Sequence, residues 1–187
     1  TGVSEYIPGK LREISRQTSS HATLQIDDCE QSEIWALHRI GGRCEVEIEI
    51  ATESCLDAYC TSWSRPRTRH RRLFQLAGGR LTIEDWIEGE QMPVKFHLPL
   101  APDLEPELLV THANGAASES GRAKLSLELR DDKKLWIELP TGVHWTIERS
   151  AYFPRFGEHV EVAWLGGEAA EYGAGARRRP NRRRARG

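Results

Sequence analysis

Apolar positions along this chain recur every second residue rather than every third or fourth. Residues 44–50 (CEVEIEI) alternate an apolar residue with Glu, the pattern of a strand with one buried and one wet face. Residues 124–130 (KLSLELR) put Leu125, Leu127 and Leu129 on one face, and 135–139 (LWIEL), 81–87 (LTIEDWI) and 94–98 (VKFHL) extend the series. Turn signals separate these runs at Gly41-Gly42, Gly78-Gly79, Gly89, Asn114-Gly115, Asp131-Asp132 and Thr141-Gly142. No amphipathic helix stands out. The pattern predicts an all-β domain, an antiparallel β-sandwich of about ten or more strands.

Two stretches break the alternation. Residues 99–106 (PLAPDLEP) hold three prolines, which cannot donate to a ladder, so a loop or edge crossing is expected there. From Gly166 onward the chain turns Gly/Ala-rich and ends in an arginine run. The expected division is a sandwich domain over 1–165 and a disordered basic tail over 166–187.

With 187 residues the chain is long enough for one domain with a substantial core. No apolar run approaches the roughly 20 residues that span a bilayer. The chain starts at Thr1 with no initiator Met and no signal-like segment, which suggests a processed protein or a fragment. The formal charge of −2 conceals a division: residues 177–187 hold seven Arg and no acid, leaving 19 basic and 28 acidic residues, a net of −9, in the rest. An acidic body opposes a polyanion, so nucleic acid is an unlikely partner even with a basic tail.

Cys29, Cys44, Cys55 and Cys60 show no C-x-x-C spacing, which argues against a structural zinc site built from them. A Cys55–Cys60 pair needs the chain between them to turn back; free thiols are the alternative. His21, in RQTSSHATLQIDDCEQSEIW, follows a run of small hydroxyl residues at the mouth of a strand. Imidazole is a good metal ligand, but the nearby sequence offers only Asp27, Asp28 and Glu30 beside it, and a hydrogen-bonded structural role weighs more on these residues alone. In 64–72 (SRPRTRHRR), an extended chain would project Arg65, Arg67, Arg69 and Arg71 from one side, with His70 and Arg72 on the other. Such a row suits carboxylate or sulfate groups, or else it is the charged face of an edge strand.

Read with its flanks, the His21 stretch resembles the heparinase II/III-like polysaccharide lyases. Gly2 and Tyr6 match the family's D-x-G-x-x-x-Y; Arg16, Thr18, His21, Thr23, Leu24, Ile26 and Asp27 match R-x-T-x-x-H-N-T-hydrophobic-x-hydrophobic-D; Gln31, Ser32 and Trp35 match Q-S-x-x-W. Residues 70–89 (HRRLFQLAGGRLTIEDWIEG) resemble the paired strands that follow, and 152–157 (YFPRFG) extend the likeness more weakly. Ala22 stands where the family usually has Asn.

The resemblance implies a C-terminal sandwich domain that, in such lyases, follows a helical toroid. It implies β-elimination on a uronic-acid polysaccharide, such as a glycosaminoglycan or alginate. His21 would be one ligand of a zinc site whose other ligands, an H-x-H-x-D segment and an Asp before G-x-x-x-Y, lie outside this sequence. Tyr6, in YIP, is similar to a Tyr that acts as general acid or base in the alginate-lyase branch, at a spacing to His21 one residue longer. Arg65, Arg67, Arg69, His70 and Arg71 become candidate contacts to an acidic polysaccharide. The isolated chain is expected to lack the catalytic base and to hold no tightly bound metal, and a periplasmic or secreted location follows from the resemblance alone. The competing reading is a non-catalytic sandwich that binds a glycan or a protein.

Overall fold

The structure is a computed structural model that describes residues 5–35, 39–111, 122–129 and 133–172. Within them, thirteen strands accompany one short helix, α1 (Lys10–Ile14), and a 3-10 turn at Thr18–Ser20. The strands are β1 (Thr23–Ile26), β2 (Ile34–Trp35), β3 (Arg39–Ile40), β4 (Glu45–Ala51), β5 (Cys55–Thr61), β6 (Arg69–Ala77), β7 (Arg80–Glu88), β8 (Met92–Pro99), β9 (Pro106–Thr111), β10 (Arg122–Glu128), β11 (Lys134–Leu139), β12 (His144–Tyr152) and β13 (Val160–Tyr172). All pairings are antiparallel, and the proline-rich 99–106 stretch joins β8 to β9 as a loop. No helix among the described residues is long and apolar enough to cross a membrane.

The central layer is the sheet β1-β8-β13-β12. Registration aligns its inner positions into rows: Ile26, Val94 and Ala169; Leu24, Phe96, Gly167 and Trp145; Leu98, Leu165 and Ile147. Two other sheets pack on this one face. At one end Ile87 of the β4-β5-β6-β7 sheet joins Leu24, Ile26, Val94 and Ala169 in a buried cluster. At the other, Leu125 and Leu127 of the β11-β10-β9 sheet join Leu100, Ala163 and Leu165. An Arg80–Glu138 ion pair bridges the two outer sheets. This is a two-layer sandwich whose second layer is split.

The last strand runs further than the composition indicates. β13 continues through Gly166 and Gly167 to Tyr172, because the glycines serve packing rather than disorder. A Cβ on Gly167 would lie 2.6 Å from the Trp145 ring and 2.9 Å from Val143. Without it, the Phe96 and Trp145 rings meet over β13 with centroids 5.2 Å apart. The arginine run 177–187 and the turn signals at 114–115 and 131–132 lie outside the described residues.

Strand β4 corrects a second expectation. Its alternation is real, yet every one of its seven residues is exposed. The inner face of its sheet carries the rows Val46, Cys60, His70 and Ile87; Ile48, Ala58, Arg72 and Asp85; Leu56, Phe74 and Ile83; Leu76 and Leu81. Only the end at His70 and Ile87 is buried against the central sheet, while Val46, Ile48, Leu76, Leu81 and Ile83 stay about half exposed or more. An apolar face of that extent is unusual on a lone domain.

Two substitutions test the role of the paired glycines. Gly167→Ala is expected to cost about 1–3 kcal/mol, because the new methyl has no room beneath Trp145. At Gly166 a Cβ faces the polar side, 3.2 Å from Thr146 Oγ1, so Gly166→Ala should cost clearly less; equal shifts in urea midpoint would refute the packing account.

Candidate functional site

The segment around His21 is built by hydrogen bonds rather than by regular structure. The 3-10 turn ends at His21, whose N–H donates to Thr18 O at 3.2 Å and whose carbonyl accepts from Thr23 N–H at 2.9 Å. Glu30 Oε2 accepts from both Thr18 N (2.6 Å) and Thr18 Oγ1 (2.7 Å). Thr18 Oγ1 in turn accepts from Gln31 N at 2.9 Å. Gln31 Nε2 donates to Thr23 Oγ1 and to Leu24 O, along the edge of β1. Ser20 Oγ donates to Ile14 O, Arg16 to Arg39 O, and Ser32 Oγ accepts from Cys44 N. Thr18, Gln31 and Ser32 are therefore the two halves of a brace, and the Asp27-Asp28 turn that joins them needs left-handed φ values of 51° and 53°, a region that Asp tolerates better than most residues.

A buried charge cluster holds the same segment from the second layer. Asp85 accepts from Arg72 Nε (2.6 Å) and Nη2 (3.1 Å) and pairs with His70 Nε2 at 2.6 Å. Arg72 Nη1 reaches on to the carbonyl of Ala22, beside His21, at 2.7 Å. Tyr172 Oη donates to Asp85 O. Burial raises the Asp85 carboxyl pKa, but hydrogen bonds from His70 and Arg72 outweigh it and hold the group below the usual carboxylate range.

The outer face of the central sheet continues the polar surface next to His21. Its rows are Thr23, His97, Gly166 and Thr146, then Gln25, Lys95, Glu168 and His144. His97 Nε2 meets Gln25 Oε1 at 3.2 Å, and Lys95 pairs with Asp28 at 2.6 Å. Asp28, Lys95, His144 and Glu168 line an open groove of about 370 Å³ with Pro93 and Ala169. His21 and His97 are both held below the ordinary histidine pKa, chiefly by burial, with Glu30 opposing the effect in each case. These rings stay neutral to a lower pH than a free histidine, the state in which a ring nitrogen ligates a metal or accepts a proton.

The other sequence candidates lie elsewhere. Tyr6 is exposed and packs its ring 5.1 Å from that of Phe156, with the Arg12 guanidinium 5.5 Å above it. The expected row of cations is corrected: only Arg69 and Arg71 share a strand face, because Arg65 and Arg67 lie in the turn before β6, where Thr68 N–H donates to Arg65 O. Arg71 makes two hydrogen bonds to buried Asp57, Arg69 pairs with Glu47 and Glu88, and Arg65 pairs with Asp27. Arg69 and Arg71 also stack on Tyr59, and Arg71 on Trp86. His70 points into the core. Among the five, Arg67 is exposed and joins no described ion pair.

One further expectation resolves on geometry. Cys55 and Cys60 both sit in β5, five residues apart, so strand alternation sends them to opposite faces and they cannot pair. As for a metal, no group of three or more His, Cys, Asp or Glu among the described residues is arranged to hold one. His21 is one donor, and Glu30, the carboxylate that acts on it, is already engaged by Thr18. Sequence reasoning passed over His97, Gln25 and Lys95; the signal was present in VKFHL, where Lys95 and His97 occupy the wet positions of a strand.

The family model described as Heparinase II/III-like, C-terminal, matches residues 1–164. Among solved structures, the heparan sulfate lyase HepC from Pedobacter heparinus is similar with a TM-score of 0.57 and 17% identity, over 93% of this chain and 26% of that one. A heparinase III gives a TM-score of 0.57 at 15% identity, over 91% of this chain and 25% of that one. No curated protein sequence matches. The chain thus spans about a quarter of the length of the solved lyases whose fold it shares.

Replacing Asp85 by Asn should cost about 3–5 kcal/mol at pH 7, because Arg72 and His70 lose a buried carboxylate. The native contribution comes from a depressed carboxyl pKa, so it is full above the unfolded value near pH 4 and is lost as pH falls through the lower folded value. The stability gap between native chain and variant should therefore narrow as pH falls below about 4, read by denaturant titration at each pH.

Proposed function

This chain belongs to the heparinase II/III-like, C-terminal family, and we propose on that premise that it is the β-sandwich domain of a polysaccharide lyase that acts by β-elimination on uronic-acid-containing chains. The observation that carries this reading is the brace that fixes His21 beside the polar outer face of the central sheet, built from the motif residues Thr18, Gln31 and Ser32. In this reaction a base removes the proton at C5 of the uronate, polar or cationic groups neutralise the carboxylate, and the glycosidic oxygen leaves from C4 with a proton from an acid. The domain offers the face of such a cleft, with His97 and Gln25 as polar groups able to meet a sugar and Lys95, paired with Asp28, adding charge beside them. The opposite wall, a helical toroid, belongs to the larger polypeptide in this reading.

His21 would serve there as one metal ligand, its ring kept neutral to a lower pH by burial; further ligands would have to join it, since the described residues assemble no group of three or more donors. Bound zinc would supply charge that organises the sandwich beside the cleft. Tyr6, exposed at the same N-terminal region, is the proposed acid or base. The alternative of a glycan-binding module that uses the 65–71 arginines is disfavoured, because Arg65, Arg69 and Arg71 are engaged by Asp27, Glu47, Glu88 and Asp57.

The isolated 187-residue chain, mixed with heparan sulfate or alginate, is expected to give no rise in unsaturated-uronide absorbance; a sustained rise overturns the need for a second wall. In a longer polypeptide that cleaves one of these glycans, Tyr6→Phe should lower turnover about 10²–10⁴-fold, and an unchanged rate would remove Tyr6 from the mechanism. Zinc added to the isolated chain should wash out on gel filtration from native and His21→Ala protein alike, as expected when one ligand has to hold the ion; stoichiometric retention that depends on His21 would show a complete site.

A further inference from the structure

The four thiols are free, and the ladder sorts them. Cys60 faces inward in the row with Val46, His70 and Ile87. Cys44 directly precedes β4 and stands two residues before Val46, the register partner of Cys60, so an extended chain puts it on the same face, diagonal to Cys60, where neighbours lie roughly 7–8 Å apart and their Cβ atoms somewhat closer. Cys44 is the neighbouring group that acts on the Cys60 thiol. Cys60 also borders a small cavity of about 10 Å³, with Cys29, Ser62 and His70 among its other lining residues. Both cysteines are only partly buried, so a small reagent can reach them.

We propose that Cys44 and Cys60 form a modification site, an oxidisable dithiol whose disulfide fastens the start of edge strand β4 to β5. The oxidant is a small disulfide of the glutathione class. The Cys44 thiolate attacks one of its sulfurs, releasing a first thiolate and leaving a mixed disulfide on Cys44; Cys60 then loses its proton and attacks the Cys44 sulfur, releasing the second. Two protein thiols are oxidised, one disulfide is reduced to two thiols, and two protons pass to solvent or to the leaving thiolates. Burial, with Cys44 adding to it, pushes the Cys60 thiol up to about 12, which assigns the first attack to Cys44. The strand it secures needs fastening: β4 is exposed throughout, lies at the sheet edge and slips register between Ile48 and Ile50. Ring closure removes freedom from the segment 45–59, the part of the sheet with least cover.

The test is a cross-link map. The folded, reduced chain is equilibrated with mixed reduced and oxidised glutathione, alkylated, digested and analysed by mass spectrometry. One bridged peptide pair joining Cys44 to Cys60 is expected, lost in Cys44→Ser and Cys60→Ser and kept in Cys29→Ser and Cys55→Ser. Hydrogen exchange of the β4 amides should slow by about tenfold on oxidation, the local effect of a short closed loop. A Cys29–Cys60 bridge as the main product, glutathione adducts without a bridge, a bridge that forms only in denaturant, or unchanged β4 exchange overturns the assignment. The native chain alone decides the first three outcomes, so a variant that fails to fold leaves the test intact, and none of them depends on lyase activity.

Discussion

The close packing of aromatic rings over a glycine in the longest strand is the constraint on which the sandwich rests. Gly167 lets Phe96 and Trp145 meet across β13, and the residues on either side of it along that strand, Leu165 and Ala169, lie in the two separate core clusters. Because β13 pairs with β8 and β12 along most of its thirteen residues, both outer sheets are positioned by one strand. A side chain at Gly167 would lift Trp145 and disturb both clusters together.

The same layering determines what reaches the outer face. Alternation that sends Val94, Phe96 and Leu98 inward sends Lys95 and His97 outward, next to Gln25 and Glu168. The His21 segment sits at the border of this face and is held from two directions, by Glu30 and Gln31 within its own layer and by Arg72 from the layer beneath. The charge cluster of Asp85, Arg72 and His70 lies where the covered part of the β4–β7 sheet gives way to the exposed part. Its members are mutually hydrogen-bonded, which makes the burial of charge tolerable there.

Charge pairing also decides which cations remain for a ligand. Strand β6 places its arginines opposite acids on β4, β5 and β7, and the shared face of Tyr59 and Trp86 gives them aromatic surfaces to stack on. A cluster that looks like a polyanion contact along the chain becomes the internal adhesive of a sheet. The apolar rows at Leu56, Ile83, Leu76 and Leu81 have no such partners and stay open.

The sequence by itself determined the periodicity of two, hence the strands, their inner and outer residues and the turns between them, because alternation follows from local backbone geometry. The ordered motif from Arg16 to Trp35 likewise named residues that prove to be the brace around His21. Which faces were covered was not local. Val46 and Ile48 read as core and stand exposed, since burial depends on what lies opposite; Gly166 and Gly167 read as a tail and form the middle of β13, since the value of Gly167 lies in the rings of other strands. The arginines were matched to their acids, and Cys55 and Cys60 sent to opposite faces of β5, only by the strands and their cross-strand register, which joins residues far apart in the chain.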